Sequence, residues 1–327
     1  MKKTSPELAA VGALILACAF APSALGQSEP PEPAIQLGDS VTMPTRAVNA
    51  GVASSVAFFL TEKDLLPESV AYDAKDGSFY VGSVRKGKIV RVDAKGNATD
   101  FIAPRQDGLW SVIGIKIHPT RRMLWVCSFQ GSELEGSPPG DSHASGVFVF
   151  NLDTGKLIRT WVLDAPGESH GFNDLVLTRS NDAYITHMFQ EPAIYRITAK
   201  DQKLEVFMKP EGLTDPNGIA LSPDEKTLFV AGNEGVQAID ITTRKARMIT
   251  PAQGDAMGAI DGLYYYRGSL IGIRGSSVNR YRLDEAMTRV VLAEVLEQNH
   301  PLMKIPTTGV IVGEAFYYVA NACFDAA

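Results

Sequence analysis

The sequence predicts an all-β fold, a closed ring of six four-stranded antiparallel sheets, and three observations carry that prediction. A short motif recurs along the chain at similar intervals. Each copy opens a run of apolar strands separated by polar turns. The last copy stops after two strands, while strand-like residues precede the first copy.

The motif begins at Glu68, Ile113, Asn173, Asn217, Asp261 and Thr308, at intervals of 44 to 60 residues. Its fourth copy reads Asn217-Gly218-Ile219-Ala220-Leu221-Ser222, a strand headed by an amide that strand propensity would not place there. Turns such as Asp76-Gly77, Ser180-Asn181-Asp182 and Pro223-Asp224 lead to second strands at 78–81, 123–126, 183–186, 227–230, 269–273 and 315–320. Third strands follow at 88–92, 146–151, 193–197, 236–241 and 278–283, and fourth strands at 156–163, 204–208 and 289–294. Each unit is a meander forming one small sheet. Such a sheet cannot bury both faces alone, so the units stack radially and the stack closes. Residues 55–60 are placed to complete the last unit, which makes the closure N-terminal. Residues 36–50 show no clear further hairpin, so the ring has six blades rather than seven.

Residues 1–26 read as an export signal: Lys2 and Lys3 lead, an apolar run follows at 8–20, and Ala24-Leu25-Gly26 supplies a small-residue cleavage site. The run is too short for a membrane span. Ile15-Leu16-Ala17-Cys18 also resembles a lipoprotein box, with a lipid anchor on Cys18 as the alternative processing. The apolar run continues through Ala19-Phe20-Ala21, which favours cleavage after Gly26. The expected location is the periplasm or the exterior. Residues 27–50 form a proline-rich linker, and 51–327 a single domain. Of the 3 cysteines, Cys127 and Cys323 remain after cleavage. They lie in non-adjacent units, and two buried thiols are expected rather than a disulfide. A net charge of −6 gives no electrostatic footprint for nucleic acid.

In a ring of this kind the first strand of each unit runs along the axis, so the six motif-opening residues circle one mouth. Glu68, Asn173, Asn217 and Asp261 carry carboxylate or carboxamide oxygens, and glycine follows the opening residue in four of six copies, letting backbones crowd. Asn and Asp also open strands simply because they favour turns. Four oxygens at one register point instead to a hard, all-oxygen site suited to Ca2+ and not to zinc.

With Pro67-Glu68, Phe172-Asn173-Asp174, Pro216-Asn217-Gly218-Ile219 and Asp261-Gly262 in place, the chain resembles the SMP-30/gluconolactonase-like family of six-bladed calcium-dependent lactonases over residues 66–321. The resemblance implies a divalent metal held by Glu68, Asn217 and Asp261, with Asn173 as ligand or substrate contact. It also implies hydrolysis of a lactone or small ester, the metal polarising the carbonyl and Asp261 activating water. There are two departures. Sugar-lactone members carry arginine where this chain has Gly171, and paraoxonases carry histidine where it has Ile113. His170, upstream of Asn173, is the second candidate base, or else a structural residue bonded to a loop carbonyl.

The loops between second and third strands return to the metal mouth. They offer His187, Met188, Glu191, Asn233 and Arg274 as substrate contacts. The longest, at 130–145, is either a gate or a surface insertion. No GxSxG elbow or HExxH motif is present. The expected partner is a small-molecule substrate. The rival reading is a non-catalytic propeller that binds a ligand or protein, its axial metal stiffening the ring.

Overall fold

A computed structural model describes residues 54–62, 64–137, 143–165 and 167–324, with the backbone of strands Leu14–Ala19 and Ala47–Val48. Strands such as Thr227–Ala231 and Ser78–Ser83 are covered on both faces. They therefore read as nearly continuous apolar or small-residue runs rather than as alternating ones.

Five blades are contiguous antiparallel meanders. The first joins Pro67–Asp73, Ser78–Ser83, Lys88–Val92 and Ala98–Ile102. The second joins Ser111–His118, Met123–Phe129, Ser145–Asn151 and Leu157–Leu163. The third joins Phe172–Leu177, Ala183–His187, Ala193–Ile197 and Leu204–Met208. The fourth joins Ile219–Leu221, Thr227–Ala231, Val236–Asp240 and Ala246–Met248. The fifth joins Ile260–Tyr266, Ser269–Arg274, Ser277–Leu283 and Val290–Gln298, with Ala47–Val48 parallel at its outer edge. A further sheet sets Gly309–Val312 and Ala315–Asn321 beside Leu14–Ala19 and Ser55–Phe59. The protein is an all-β propeller of four-stranded antiparallel blades.

The sequence missed the outer strands Ala98–Ile102 and Ala246–Met248, which are short and largely exposed and so carry little apolar signal. Leu14–Ala19, inside the expected export signal, pairs with both Ala315–Asn321 and Ser55–Phe59. The rest of that signal, the side chain of Cys18, the linker at 27–46 and the loop centre at 138–142 lie outside the described residues. Cys127 and Cys323 are buried thiols with no disulfide between them. Among the described residues no helix is long and apolar enough to cross a membrane.

Apolar clusters fill the wedges between neighbouring sheets. Trp125 and Val147 of the second blade meet Phe172 and Ile185 of the third, and Ile271 and Val278 of the fifth meet Phe316 and Tyr318 of the last sheet. Val319 of that sheet in turn packs with Val70 and Val81 of the first blade. Each sheet thus buries both faces, which is the driving force for radial stacking.

A register shift falls at the motif-opening position of the first strands. Two residues oppose one where Glu68 separates Pro67 from Ser69, and again where Ile113 separates Val112 from Gly114. Equivalent shifts span 172–175 and 260–263. In the fourth blade Asn217 and Gly218 both bond Ala231, and in the last sheet Thr307 and Thr308 both bond Val319. A bulge bends the strand and re-aims the extra side chain, which is how an edge-strand residue comes to face the axis.

The same crowding dictates glycine at the next position. A Cβ on Gly218 would stand 2.2 Å from the Asp261 carbonyl oxygen, and one on Gly114 2.4 Å from that of Asn173. Both obstacles are backbone atoms of the next blade and cannot swing aside. Gly218→Ala is therefore expected to cost at least about 2 kcal/mol through overpacking, read as a lower urea midpoint with unchanged slope. A midpoint equal to wild type would show that the blades are not in this contact.

Candidate functional site

The bulges bring Glu68, Asn217 and Asp261 together with Asp174, which sequence reasoning quoted only as part of a motif. Glu68, Asn173 and Asp174 are buried, while Asn217 and Asp261 keep part of their surface open at the mouth. One oxygen on each of Glu68, Asp174, Asn217 and Asp261 is buried without a hydrogen-bond partner: Oε2, Oδ2, Oδ1 and Oδ1 respectively. An unpartnered buried acceptor costs on the order of 1–3 kcal/mol. Four around one axis mark a place built to receive something.

The electrostatics agree. Burial pushes the Asp261 carboxyl up to about 7, the Asp174 charge adding to it and the Asn217 side chain opposing it. Burial, then the charges of Asp261 and Asp174, push Glu68 well above the usual carboxylate range. Hard oxygens on crowded carboxyls that resist ionising side by side fit a divalent cation such as Ca2+, whose charge would offset theirs. The donor set depends on amide oxygen: among the described residues, no three His, Cys, Asp or Glu side chains gather at ligating spacing by themselves.

Backbone positions around this group are locked from the neighbouring blades. The hydroxyls of Thr307 and Thr308 both donate to the Glu68 carbonyl at 2.8 Å, and that of Thr186 donates to the Asn217 carbonyl at 2.7 Å. Below the mouth, Lys116 of the second blade reaches across the channel. Its Nζ donates to Asp174 Oδ1 at 2.6 Å and lies 5.5 Å from the ring centroid of Tyr264 on the fifth blade. Lys116 and Tyr264 were missed because their register, three residues after the bulge, holds mostly apolar or alanine side chains in the other blades. A cavity of about 240 Å3 follows toward the far mouth, lined by Val70, Ile115, Ile219, Leu263 and Val310.

The other expected residues have partners of their own. Asn173 shares this group's register, but its amide donates to the Met188 sulfur at 3.3 Å. His170 and His187 meet each other, Nδ1 to Nε2 at 3.2 Å; His187 Nδ1 donates to the Glu191 carbonyl at 3.2 Å, and His170 Nε2 lies 3.0 Å from Glu168. Burial holds His187 below the ordinary imidazole range. The Glu191 carboxylate is exposed and paired with Lys209. Arg274 is exposed, its Nε donating to the Gly258 carbonyl at 2.8 Å, and Asn233 bonds Thr214 and Asp215. The described part of the 130–145 loop is tied to the first blade, Glu135 donating its N–H to the Arg85 carbonyl and pairing with Lys86.

The chain belongs to the SMP-30/Gluconolactonase/LRE-like family, whose model matches residues 66–291. Among solved structures it is similar to the major allergen Mala s 1 of Malassezia sympodialis, with TM-score 0.63 and 17% identity over 80% of this chain and 89% of that one. It is similar to a gluconolactonase from Xanthomonas campestris, with TM-score 0.56 and 15% identity over 78% and 85%. It is also similar to regucalcin, a calcium-binding protein from Agrobacterium tumefaciens, with TM-score 0.54 and 17% identity over 76% and 79%. At such identities the likeness concerns the fold. No curated protein sequence matches.

A raised carboxyl makes the metal-free protein sensitive to pH. Below about pH 4 the Asp261 side chain is protonated in folded and unfolded chains alike. Between there and about 7 the unfolded chain ionises while the folded one holds its proton, so Asp261 makes stability fall as pH rises through that window. In the metal-free protein, wild type should therefore lose melting temperature relative to Asp261→Asn as pH is raised across it. Parallel curves for the two proteins would contradict the raised carboxyl.

Proposed function

We propose that this protein is an exported, Ca2+-dependent hydrolase of a lactone or small ester, working at the axial mouth of a six-bladed ring whose last blade is closed by N-terminal strand. The observation that carries the reading is the set of four buried, unpartnered oxygens on Glu68, Asp174, Asn217 and Asp261. Membership of a family described by gluconolactonase supports the substrate class.

Glu68, Asn217 and Asp261 would hold the cation, with Asn173 at the same register as ligand or substrate contact. When bound, the ion supplies Lewis-acid polarisation of the substrate carbonyl and charge to balance the developing oxyanion. The protein does the rest. Asp261 is partly open at the mouth, where its carboxylate would take a proton from the attacking water and return it to the leaving alkoxide. His170 is the weaker base, since its two ring nitrogens already face His187 and Glu168. The Thr186, Thr307 and Thr308 hydroxyls hold the backbone of the oxygen-bearing residues in register. Lys116 holds Asp174 from below, so that negative charge is not left wholly uncompensated in the channel.

Export through cleavage after Gly26 would remove Leu14–Ala19 from the last sheet, leaving Ser55–Phe59, which pairs with that strand, to take its place beside Ala315–Asn321. Intact mass of the natively produced protein is expected to place its first residue at Gln27, and a mature chain retaining residues 14–19 would overturn that processing.

Activity is tested with a panel of lactones and aryl esters, with and without EDTA and added Ca2+. Turnover is expected to vanish with EDTA and return with Ca2+. Asp261→Asn should lower kcat by about two to four orders of magnitude, the range of a lost general base. A protein that binds Ca2+ but hydrolyses none of these substrates would instead be a binding propeller.

A further inference from the structure

The axial oxygens say what bond is attacked; the rim beside them says what the rest of the substrate is. The second blade is apolar at the register where its two neighbours carry Glu68 and Asn173. Ile113 occupies the motif-opening position there and belongs to one buried cluster with Leu66, Val84 and Cys323, against which the half-buried Phe129 and Phe324 pack. Phe129 stands at the end of the second strand and so at the same mouth. Its ring meets that of Phe189 edge-on, centroids 5.4 Å apart at 86°.

Phe189 in turn lies directly over Gly171, where an added Cβ would fall 2.6 Å from its ring atoms. A longer side chain at 171, cationic or polar, could stand there only by expelling Phe189. The adjacent Met188 faces Asn173, the amide of the ring, with a thioether rather than a polar partner. Phe129, Met188 and Phe189 all remain partly exposed, so together they form a continuous wall that starts at the axial site and faces the mouth.

Most polar side chains of this sector are engaged with one another, while the His143 ring lies 6.3 Å from that of Phe189. His170 and His187 use their ring nitrogens on each other, on Glu168 and on the Glu191 carbonyl. Lys86 is paired with Asp64 and Glu135, and Lys209 with Glu191. Arg85, behind the wall, keeps its Nε buried, away from the exposed faces of the rings. A substrate hydroxyl laid against the wall would lose its water and find phenyl rings and a thioether, an unfavourable exchange. An alkyl or aryl group would gain from the same surface.

We propose that the Ile113–Phe129–Met188–Phe189 wall binds an apolar substituent, so that the substrate is a lipophilic lactone or ester carrying an alkyl or aryl group rather than a polyhydroxylated sugar lactone. The proposal rests on the hydrolase reading for its reaction but on the wall alone for its specificity.

The test measures kcat/KM of the Ca2+-loaded full protein on γ-lactones with progressively longer n-alkyl chains, alongside glucono-δ-lactone. It is paired with calorimetric binding of the corresponding 5-alkyl-pyrrolidin-2-ones, lactams that resist hydrolysis. The expected result is a rise of about two- to fourfold per methylene, up to that of full burial, and every long-chain lactone preferred to glucono-δ-lactone. Phe189→Ala should flatten the series by weakening long-chain substrates more than short ones. Phe189→Leu, which keeps an apolar side chain, should restore most of the slope and guards against simple loss of folding. Hydrolysis with no chain-length dependence, or with glucono-δ-lactone preferred, overturns the wall and leaves the hydrolase reading intact. Lactam binding that tightens with chain length without turnover of any lactone keeps the wall and overturns the hydrolase. Neither turnover nor chain-dependent binding overturns both.

Discussion

The structure depends on a single constraint at its axis: first strands from successive blades approach so closely that the motif-opening residues must bulge and the next residues must in most blades lose their side chains. The 2.2 Å gap between a hypothetical Gly218 Cβ and the Asp261 carbonyl measures that approach. Because the bulges turn Glu68, Asn217 and Asp261 inward, acceptor oxygens are forced into a small, poorly hydrated volume. The wedge-filling apolar clusters supply the free energy that holds the blades there. Burial of the oxygens then follows from packing, and the raised Asp261 and Glu68 carboxyls follow from burial.

Charge balance within the channel is divided between two levels. Lys116 offsets Asp174 and rests over Tyr264 of the facing blade, whose hydroxyl accepts the Gly309 N–H at 2.6 Å. A cation supplied by the chain itself thus sits beside Asp174, while Glu68 and Asp261 have no ion-pair partner among the described residues. Below the mouth the channel is lined mainly by apolar residues, with Lys116 and Tyr264 among them.

Much of this was legible in the sequence because a propeller repeats its geometry. The recurrence of Asn217-Gly218-Ile219 and its relatives aligned the axial residues, and the long apolar second strands came out close to their observed bounds. What was not legible has physical reasons. The bulge that aims Asn217 leaves no compositional mark beyond the following glycine, which by itself reads as a turn residue. Lys116 occupies a position that alanine or an apolar side chain fills in most blades, so only its cross-axis contact with Tyr264 reveals it. The pairing of His170 with His187 joins residues from a loop and a neighbouring strand end, and no spacing rule anticipates it. Outer strands such as Ala246–Met248 are too short and exposed to carry a pattern.

The central claim is that the axial oxygens hold a divalent cation and must give up protons to do so. Calorimetric titration of metal-free protein with Ca2+ near pH 6, repeated in buffers of different ionisation enthalpy, tests it directly, because metal binding to neutral carboxyls releases protons. A single saturable site with measurable proton release is predicted, both diminished in Glu68→Gln. No saturable binding, or binding with no proton release and no response to that substitution, would contradict the account.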